Sequence, residues 1–256
     1  MLNNECGYMR IAIVGYGRMG HEIEGLATGR GHECVTIDTS NTDARYNELS
    51  ETSLKGCDVC IDFTQPDSAV TNIEMMAGLG KNMVVGTTGW YRRLPYVKEV
   101  VLDNDVGFLW SPNFSIGVNL YFRLVEAAAK LFNNIDDYDI MGYEIHHNGK
   151  VDSPSGTAIK IANILIEGIN RKNKVEYGML NRKPDPDEIH FASVRGGSNP
   201  GLHTVQFDSP FDTIEMSHQN RSRKGLALGA VLGAEFIKDR KGFYEIEDLI
   251  DSLIGG

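Results

Sequence analysis

The sequence predicts an α/β protein: an N-terminal Rossmann-type parallel-sheet domain, then a C-terminal α+β domain with an open mixed or antiparallel sheet. Three observations carry this. Short apolar runs alternate with helix-like stretches as far as Trp110. A glycine-rich turn, Gly15-Tyr16-Gly17-Arg18-Met19-Gly20, directly follows the first run. After Asn113 the pattern changes, and runs of alternating apolar and polar residues dominate.

Taken in order, Arg10–Val14 reads as a strand, and the glycine turn then opens a helix over His21–Gly29. Glu33–Ile37 reads as a second strand ending at Asp38, and Asp58–Phe63 as a third, followed by a helix over Asp67–Leu79. Asn82–Val85 leads into Gly86-Thr87-Thr88-Gly89, and Gly107–Trp110 leads into Ser111-Pro112-Asn113-Phe114. Short apolar strands of this kind suit a parallel sheet covered by helices on both faces. In the second half, Asn119–Leu131 places Leu120, Leu124, Ala127 and Leu131 on one helical face. Strands follow at Tyr138–His147, Ile189–Val194, His203–Phe207 and Thr213–His218, with helices at Thr157–Gly168 and Lys224–Lys238. His203, Val205 and Phe207 alternate with Thr204 and Gln206, the pattern of a sheet covered on one face. The expected domains are residues 9–114 for the dinucleotide and 115–238 for substrate binding and oligomerisation, with 239–256 a candidate to return to the first.

The 256 residues suffice for one large or two smaller cores, and the composition is that of an ordinary globular protein: 41% apolar and 23% charged. A formal charge of −10 argues against nucleic acid or an anionic membrane as partner. An anionic small molecule would therefore need a local cluster of His, Lys and Arg. Cys57 and Cys60 have the spacing of a redox or zinc pair, but Cys6 and Cys34 supply no second pair. Lying in and beside an apolar strand, they read as core thiols in a reducing cytoplasm. Met1–Tyr8 is polar, reads as an extension and lacks a signal peptide's apolar stretch; no run approaches the roughly 18 apolar residues of a membrane span.

A glycine fingerprint is weak alone, but here it follows a strand and opens a helix, where N–H groups and the helix dipole hold a pyrophosphate. Asp38 lies 18 residues beyond Gly20 (38 − 20), where a carboxylate accepts bonds from the adenosine ribose. Thr39 and Ser40 follow it where an NADPH site usually places an arginine, and Asp38 would repel a 2′-phosphate. The expected cofactor is therefore NADH, with NADPH the alternative. Gly86, Thr87 and Thr88 end the fourth strand, where ligands gather in open α/β sheets; Thr-Thr-Gly is equally a good turn and helix cap.

The most informative stretch runs from Glu144 through His146-His147, Lys150, Asp152 and Pro154-Ser155-Gly156-Thr157 to Ala158. Two histidines and a lysine end a predicted strand, and a short turn leads straight into a helix. That helix N-terminus, with the Thr157 hydroxyl, is a ready carboxylate site, and His147 and Lys150 add positive charge. Consecutive strand residues point to opposite faces, so His146 and His147 divide their roles. A metal is the competing use of the histidines, with Glu144 as support. Lys150 nearby opposes a cation, and no metal is expected.

This stretch resembles the signature of the 4-hydroxy-tetrahydrodipicolinate (dihydrodipicolinate) reductase family, Glu-x-His-His-x-x-Lys-x-Asp-x-Pro-Ser-Gly-Thr-Ala. The glycine fingerprint with Arg18-Met19, Asp62-Phe63-Thr64, Gly86–Gly89, Asn113-Phe114-Ser115-x-Gly117-Val118-Asn119 and Arg195-Gly196 through Gly201-x-His203 match it in order. The resemblance spans about residues 10 to 238. It implies hydride transfer from NADH or NADPH to a cyclic dicarboxylate imine with loss of water, in lysine biosynthesis, by a homotetramer joined through the second domain's sheet. By position it implies proton-donor roles for His146 and Lys150, and substrate-carboxylate binding by His147, Gly156 and Thr157. Gly15 through Gly20, Asp38, Gly86 through Thr88, Ser111 through Phe114 and, more weakly, Arg223 would line the cofactor. Two departures bear on the cofactor: the glycine loop is one residue shorter than in many members, and Leu226 replaces an aromatic.

Two rival readings share part of these features. A different Rossmann amino-acid dehydrogenase would share the glycine loop but has no reason to carry His146-His147-x-x-Lys150 before Ser155-Gly156-Thr157. A non-enzymatic dinucleotide sensor would bind cofactor without turnover.

Overall fold

The computed structural model describes residues 7–255, so Cys6 and the polar start of the chain lie outside the described residues. The chain divides into two compact units, one formed by the residues up to Ile116 together with those from Arg223 onward, the other by Gly117–Ser222.

The first unit is built on a six-stranded sheet. Its strands are β1 (Arg10–Val14), β2 (Glu33–Ile37), β3 (Val59–Asp62), β4 (Asn82–Val85), β5 (Gly107–Trp110) and β11 (Gly242–Glu245), in the order β11-β5-β4-β3-β1-β2. All pairings are parallel. The apolar runs predicted as strands are these strands, because a parallel sheet buried on both faces selects uninterrupted Val, Ile and Leu. On one face Ile11, Ile13, Ile61, Val84 and Leu109 pack with α1 (Arg18–Gly29) and α6 (Lys224–Ile237). On the other, Ala12, Val14, Cys60, Met83, Val85 and Phe108 pack with α2 (Pro66–Gly78) and α3 (Leu94–Asp103). Cys57 and Cys60 are free buried thiols in that second core, and burial pushes both thiols up, away from reactivity.

The division of the chain differs from the expected one at α6. Expected within residues 115–238, that helix lies against the first sheet together with β11 and α7 (Ile246–Ile254). Gly229 and Gly233 bring it there: a Cβ at Gly229 would stand 1.7 Å from the Phe114 carbonyl oxygen, and one at Gly233 2.8 Å from Leu109. The buried Asn82 amide caps its end, donating to the carbonyls of Ile237 and Lys238 at 2.8 Å while accepting from Gly107 N–H at 2.7 Å. Arg30 of the α1 end clasps Glu235 with two bonds at 2.7 and 2.8 Å. The short turn Tyr91–Arg93 with α3, and β11 with α7, add to the elements expected from the sequence.

The second unit holds a five-stranded mixed sheet in the order β10-β9-β6-β8-β7. Its strands are β6 (Asp139–His146), β7 (Lys174–Glu176), β8 (Glu188–Arg195), β9 (Leu202–Asp208) and β10 (Thr213–Gln219). β6, β8 and β7 run parallel, and β6, β9 and β10 antiparallel. One face is covered by α4 (Ile116–Phe132) and α5 (Gly156–Gly168), with Ile140, Phe191, Val205 and Phe207 facing Val125, Ala129, Ile161 and Leu165. Gly142 makes room for this core, since a Cβ there would meet the Phe191 ring at 2.4 Å. On α4 the Leu120–Leu124–Leu131 stripe turns outward, Leu131 being 72% exposed, while Val118, Tyr121, Phe122 and Val125 are buried. Both faces of this helix are apolar, so periodicity alone selects the wrong one for the core.

Candidate active site

The C-terminal ends of β1, β3, β4 and β5 carry the segments singled out for the cofactor, on the edge where open parallel sheets bind ligands. Gly15 has φ +93°, and a Cβ there would lie 2.4 Å from the Phe63 carbonyl oxygen. A Cβ on Gly20 would meet the Gly15 oxygen at 2.4 Å, whereas Gly17 faces open space. Thus the first and third glycines close the turn, and the second leaves the approach clear. The first turn of α1 carries Arg18, no acid and no side-chain cap, so its N–H groups are available to an anion. Tyr16 turns inward, hydrogen-bonded to Glu24, and burial pushes its hydroxyl up to about 12. Arg18 is exposed and Met19 packs against the core.

Asp38 accepts from Tyr16 N–H at 2.8 Å through Oδ2, and from Ser40 N–H, Ser40 Oγ and Asn41 N–H at 2.8–2.9 Å through Oδ1. Burial would raise its pKa, but these donors outweigh it and hold the carboxyl below its usual value, ionised at neutral pH. Asp38 shares a cavity of about 320 Å³ with Gly15, Gly17, Thr39, Ser40 and Thr64. An adenosine moiety fits this pocket by chemistry: small residues, a ribose acceptor and apolar walls from Val14 and Ile37.

Beside Thr64, which lines the pocket, lies a buried acid. Asp62, the last residue of β3, is fully buried and accepts from Thr87 Oγ1 at 2.5 Å, Thr64 Oγ1 at 2.8 Å and Asn72 Nδ2 at 2.8 Å. Thr64 N–H in turn donates to Thr87 Oγ1 at 2.7 Å. The Thr87 hydroxyl is thereby committed to the protein, so the structural reading of Thr-Thr-Gly applies to Thr87. Thr88 beside it is exposed. Gly86 lies flat beneath Phe63, whose ring a Cβ would strike at 2.1 Å. Ser111 and Phe114 are buried, Ser111 Oγ bonding Asn113 oxygen at 2.9 Å, and Pro112 is exposed. Arg223 is the exposed N-cap of α6.

In the second unit β6 carries the chemistry, and its alternation puts Glu144 and His146 on the inner face. Glu144 is fully buried and is the hub. Its Oε1 accepts from Ser155 N–H at 2.9 Å, Ser193 Oγ at 2.8 Å and Arg195 Nη2 at 2.7 Å. Its Oε2 accepts from Ser155 Oγ and lies 3.3 Å from both His146 Nδ1 and His203 Nε2. Burial would raise the Glu144 carboxyl, but the bonds from His203, Ser155 and Arg195 outweigh it and hold it well below the usual range. Burial lowers His146 to about 4, with His203, Lys150 and Arg195 also opposing its charge and Glu144 favouring it. At neutral pH His146 is therefore an uncharged imidazole.

His147 follows the strand end, half-buried, its N–H bound to the Asn199 carbonyl at 2.7 Å. Lys150 closes the same turn through its N–H to the His147 carbonyl at 3.1 Å, and its Nζ pairs with Asp152 at 2.8 and 3.0 Å. Ser155 caps α5 by accepting from Ala158 N–H at 3.2 Å, leaving Gly156 and Thr157 as the first residues of a helix with no acid in its first turn. That end suits a carboxylate.

Three groups here have the spacing of a metal site: Glu144, His146 and His203 offer ligand atoms all within 4.8 Å of one another. Arg195 and Ser155 already occupy the carboxylate, and a cation would add to the charges of Arg195 and Lys150. The chemistry of the set thus favours proton transfer and anion binding over a metal. Ser193, Arg195 and His203 escaped assignment because they come from β8 and β9. The available signal was Glu144 itself, an acid at an inward position of a strand.

The comparisons with known proteins agree over residues 9–250. The sequence model of the dihydrodipicolinate reductase N-terminus matches residues 9–114, and that of its C-terminus residues 117–250. A 4-hydroxy-tetrahydrodipicolinate reductase of Christiangramia forsetii is 38% identical over 245 residues, covering 96% of this chain and 99% of the relative. One from Methanosarcina mazei is 40% identical over 204 residues, covering 78% of this chain and 76% of the relative. The solved dipicolinate-bound dihydrodipicolinate reductase of Paenisporosarcina sp. TG-14 has a TM-score of 0.77 at 25% identity, covering 94% of this chain and 99% of that one. A scyllo-inositol dehydrogenase of Lactobacillus casei shares the fold alone, with a TM-score of 0.58 at 10% identity, covering 95% of this chain and 93% of that one. This chain belongs to the dihydrodipicolinate reductase family.

Proposed function

We propose that the protein reduces 4-hydroxy-tetrahydrodipicolinate to tetrahydrodipicolinate, with loss of water, in the diaminopimelate route to lysine. The observation that carries this is the turn that joins Lys150 to His147, following the buried His146 and leading within six residues to the α5 N-terminus at Gly156 and Thr157, which has no acid in its first turn. It is a cationic dicarboxylate site in a chain of net charge −10. The Paenisporosarcina relative is described as binding dipicolinate, a planar dicarboxylate of the same ring size.

A bound nicotinamide dinucleotide would supply the hydride. The glycine turn and the α1 N-terminus hold its pyrophosphate, and Asp38 its ribose. Gly156 and Thr157 N–H groups and His147 fix the substrate carboxylates, orienting the imine. Reduction of a conjugated C=C–C=N system builds negative charge that takes up one proton, and Lys150 and His146 are the groups placed to move it. NADH is the preferred cofactor in this reading, because an ionised Asp38 accepts two ribose hydroxyls but repels a 2′-phosphate. We further propose a cytoplasmic homotetramer joined through the outer sheet face of the second unit. There Met141 and Val194 are exposed beside Tyr143, Ile145 and Leu202. Among the described residues no helix is long and apolar enough to cross a membrane.

The test is NADH oxidation with substrate generated in place from pyruvate and aspartate semialdehyde by the preceding synthase, run beside NADPH and the Lys150→Ala and His146→Gln variants. Turnover that collapses in the variants supports the reductase, and a higher kcat/KM with NADH supports the role of Asp38. Binding of either cofactor without turnover would point instead to a sensor. Light scattering of the purified protein reads the subunit number.

A further inference from the structure

His146 is a buried ring, and its surroundings decide which nitrogen carries the proton. Nε2 faces Gly201, which has φ +143° and whose Cβ, if present, would stand 3.0 Å from that nitrogen and from Asn220 Nδ2. Nδ1 is buried, without an aligned hydrogen bond, and Glu144 Oε2 lies 3.3 Å from it. Ser155 has a single hydroxyl proton and donates it to that same Oε2. Ser155 Oγ is therefore an acceptor toward Ala158 N–H and toward His203 Nε2 at 3.2 Å, which makes His203 an Nε2–H donor. The charged and titratable groups around His146 are then Glu144 on its own strand, Arg195 on β8, His203 on β9 and Lys150 on the turn. Only Glu144 in this set is an anion. A lone pair on Nδ1 would oppose its oxygen in a site closed to water, whereas a proton there is attracted to it.

We propose that Glu144 is a positioning residue that fixes the resting His146 as the Nδ1–H tautomer, which leaves the Nε2 lone pair as a hydrogen-bond acceptor and Lys150 as the group that holds the proton to be delivered. The assignment of His146 to the substrate site rests on the reductase reading; the tautomer does not. Burial, which keeps the ring neutral at pH 7, is consistent with this arrangement. The same carboxylate holds the Ser155 cap of α5, so one buried acid aligns both the acceptor nitrogen and the carboxylate-binding helix end.

The experiment is a long-range proton–nitrogen correlation spectrum of the full chain at pH 7, with ¹⁵N-labelled histidine and no substrate, His146 being assigned by its loss in His146→Gln. The expected spectrum has a protonated, pyrrole-type Nδ1 and an unprotonated, pyridine-type Nε2. In Glu144→Gln the pattern is expected to move toward Nε2–H, and the acid limb of kcat/KM to shift with it. An Nε2–H ring or an imidazolium in the native protein overturns the proposal, as does an unchanged tautomer in a folded Glu144→Gln protein. If that variant does not fold, the native spectrum still decides the tautomer, and Glu144→Asp, which withdraws the carboxylate by one methylene, takes its place. The spectrum requires no turnover, so failure of the reductase reading would be seen separately in the activity assay.

Discussion

Each unit buries one carboxylate near the C-terminal end of a central strand, and the two are held in opposite ways. Asp62 in the dinucleotide unit is surrounded by neutral donors: two threonine hydroxyls, one backbone N–H and the Asn72 amide. Burial pushes its pKa up, and these bonds only partly oppose the rise. Glu144 in the second unit, likewise without exposed surface, meets a guanidinium, two serines and a histidine, and these outweigh its desolvation, so that its pKa falls. Neutral donors therefore suffice to hold a shape, here the turn that joins Thr64 to Thr87. Holding a charge takes a counter-charge. The first arrangement fixes the path of a loop, the second keeps a buried charge in place.

The sharpest break in this comparison is functional. Lys150→Ala is expected to lower kcat by about 10²–10⁴-fold, as for loss of a positioned acid, while NADH still binds the first unit. Binding can be followed by quenching of Trp90 and Trp110, which both lie in that unit, 5.7 Å apart. Equal losses of turnover and NADH binding would show that the two sites are not separable.

Stability comes next. Glu144→Ala strands Arg195 without its buried partner and should cost about 3–5 kcal/mol in urea unfolding. Asp62→Asn keeps the shape among neutral donors and should cost only about 1–2 kcal/mol. Similar costs would erase the distinction drawn between the two carboxylates.

Acid then separates the two by sign. Asp62, raised in the folded state, contributes most below its unfolded value and loses that contribution as pH rises through the folded one. Asp62→Asn should remove this slope. Glu144 does the reverse: its stabilisation is present above its unfolded value of 4.5 and is lost as pH falls toward its lower folded value. His146 adds a third slope, because a ring buried neutral destabilises the fold as pH falls from 6.5 toward about 4. Unfolding of His146→Gln over that range should be flatter than that of the native protein.

The smallest effect distinguishes neighbours in one turn. Thr87→Val removes the donor to Asp62 and should cost about 1 kcal/mol of stability. Thr88→Val, at an exposed position, should leave stability within about 0.5 kcal/mol and lower NADH affinity instead. The opposite pattern would mean that Thr87 faces the cofactor.

Much of this was legible in the residues alone. Uninterrupted apolar runs located β1 through β5 almost to the residue, since burial on both faces leaves strands little compositional freedom. The glycine turn was readable for the same kind of reason: Gly15 must adopt a positive φ against Phe63, which few other residues tolerate. The end of β6 at His146, the turn at Lys150 and the start of α5 at Gly156 were readable because a strand end, a turn and a helix start are local in sequence.

What the sequence could not determine is whatever depends on distant partners. Arg195 reaches Glu144 from 51 residues away, and Ser193 from 49. It is the register of β6 with β8 and β9, pairing Glu144 with Ser193 and with His203, that turns a lone acid into a hub. The apolar Leu120–Leu131 stripe of α4 lies outward because the opposite face carries the residues that fit the sheet, a choice made by packing rather than by period. Likewise the place of α6 in the first unit is decided by tertiary structure, which seats Gly229 on the Phe114 carbonyl. Local chemistry and periodicity are written along the chain; long-range pairings are selected only when the folded chain compares the volumes and charges of segments it has brought together.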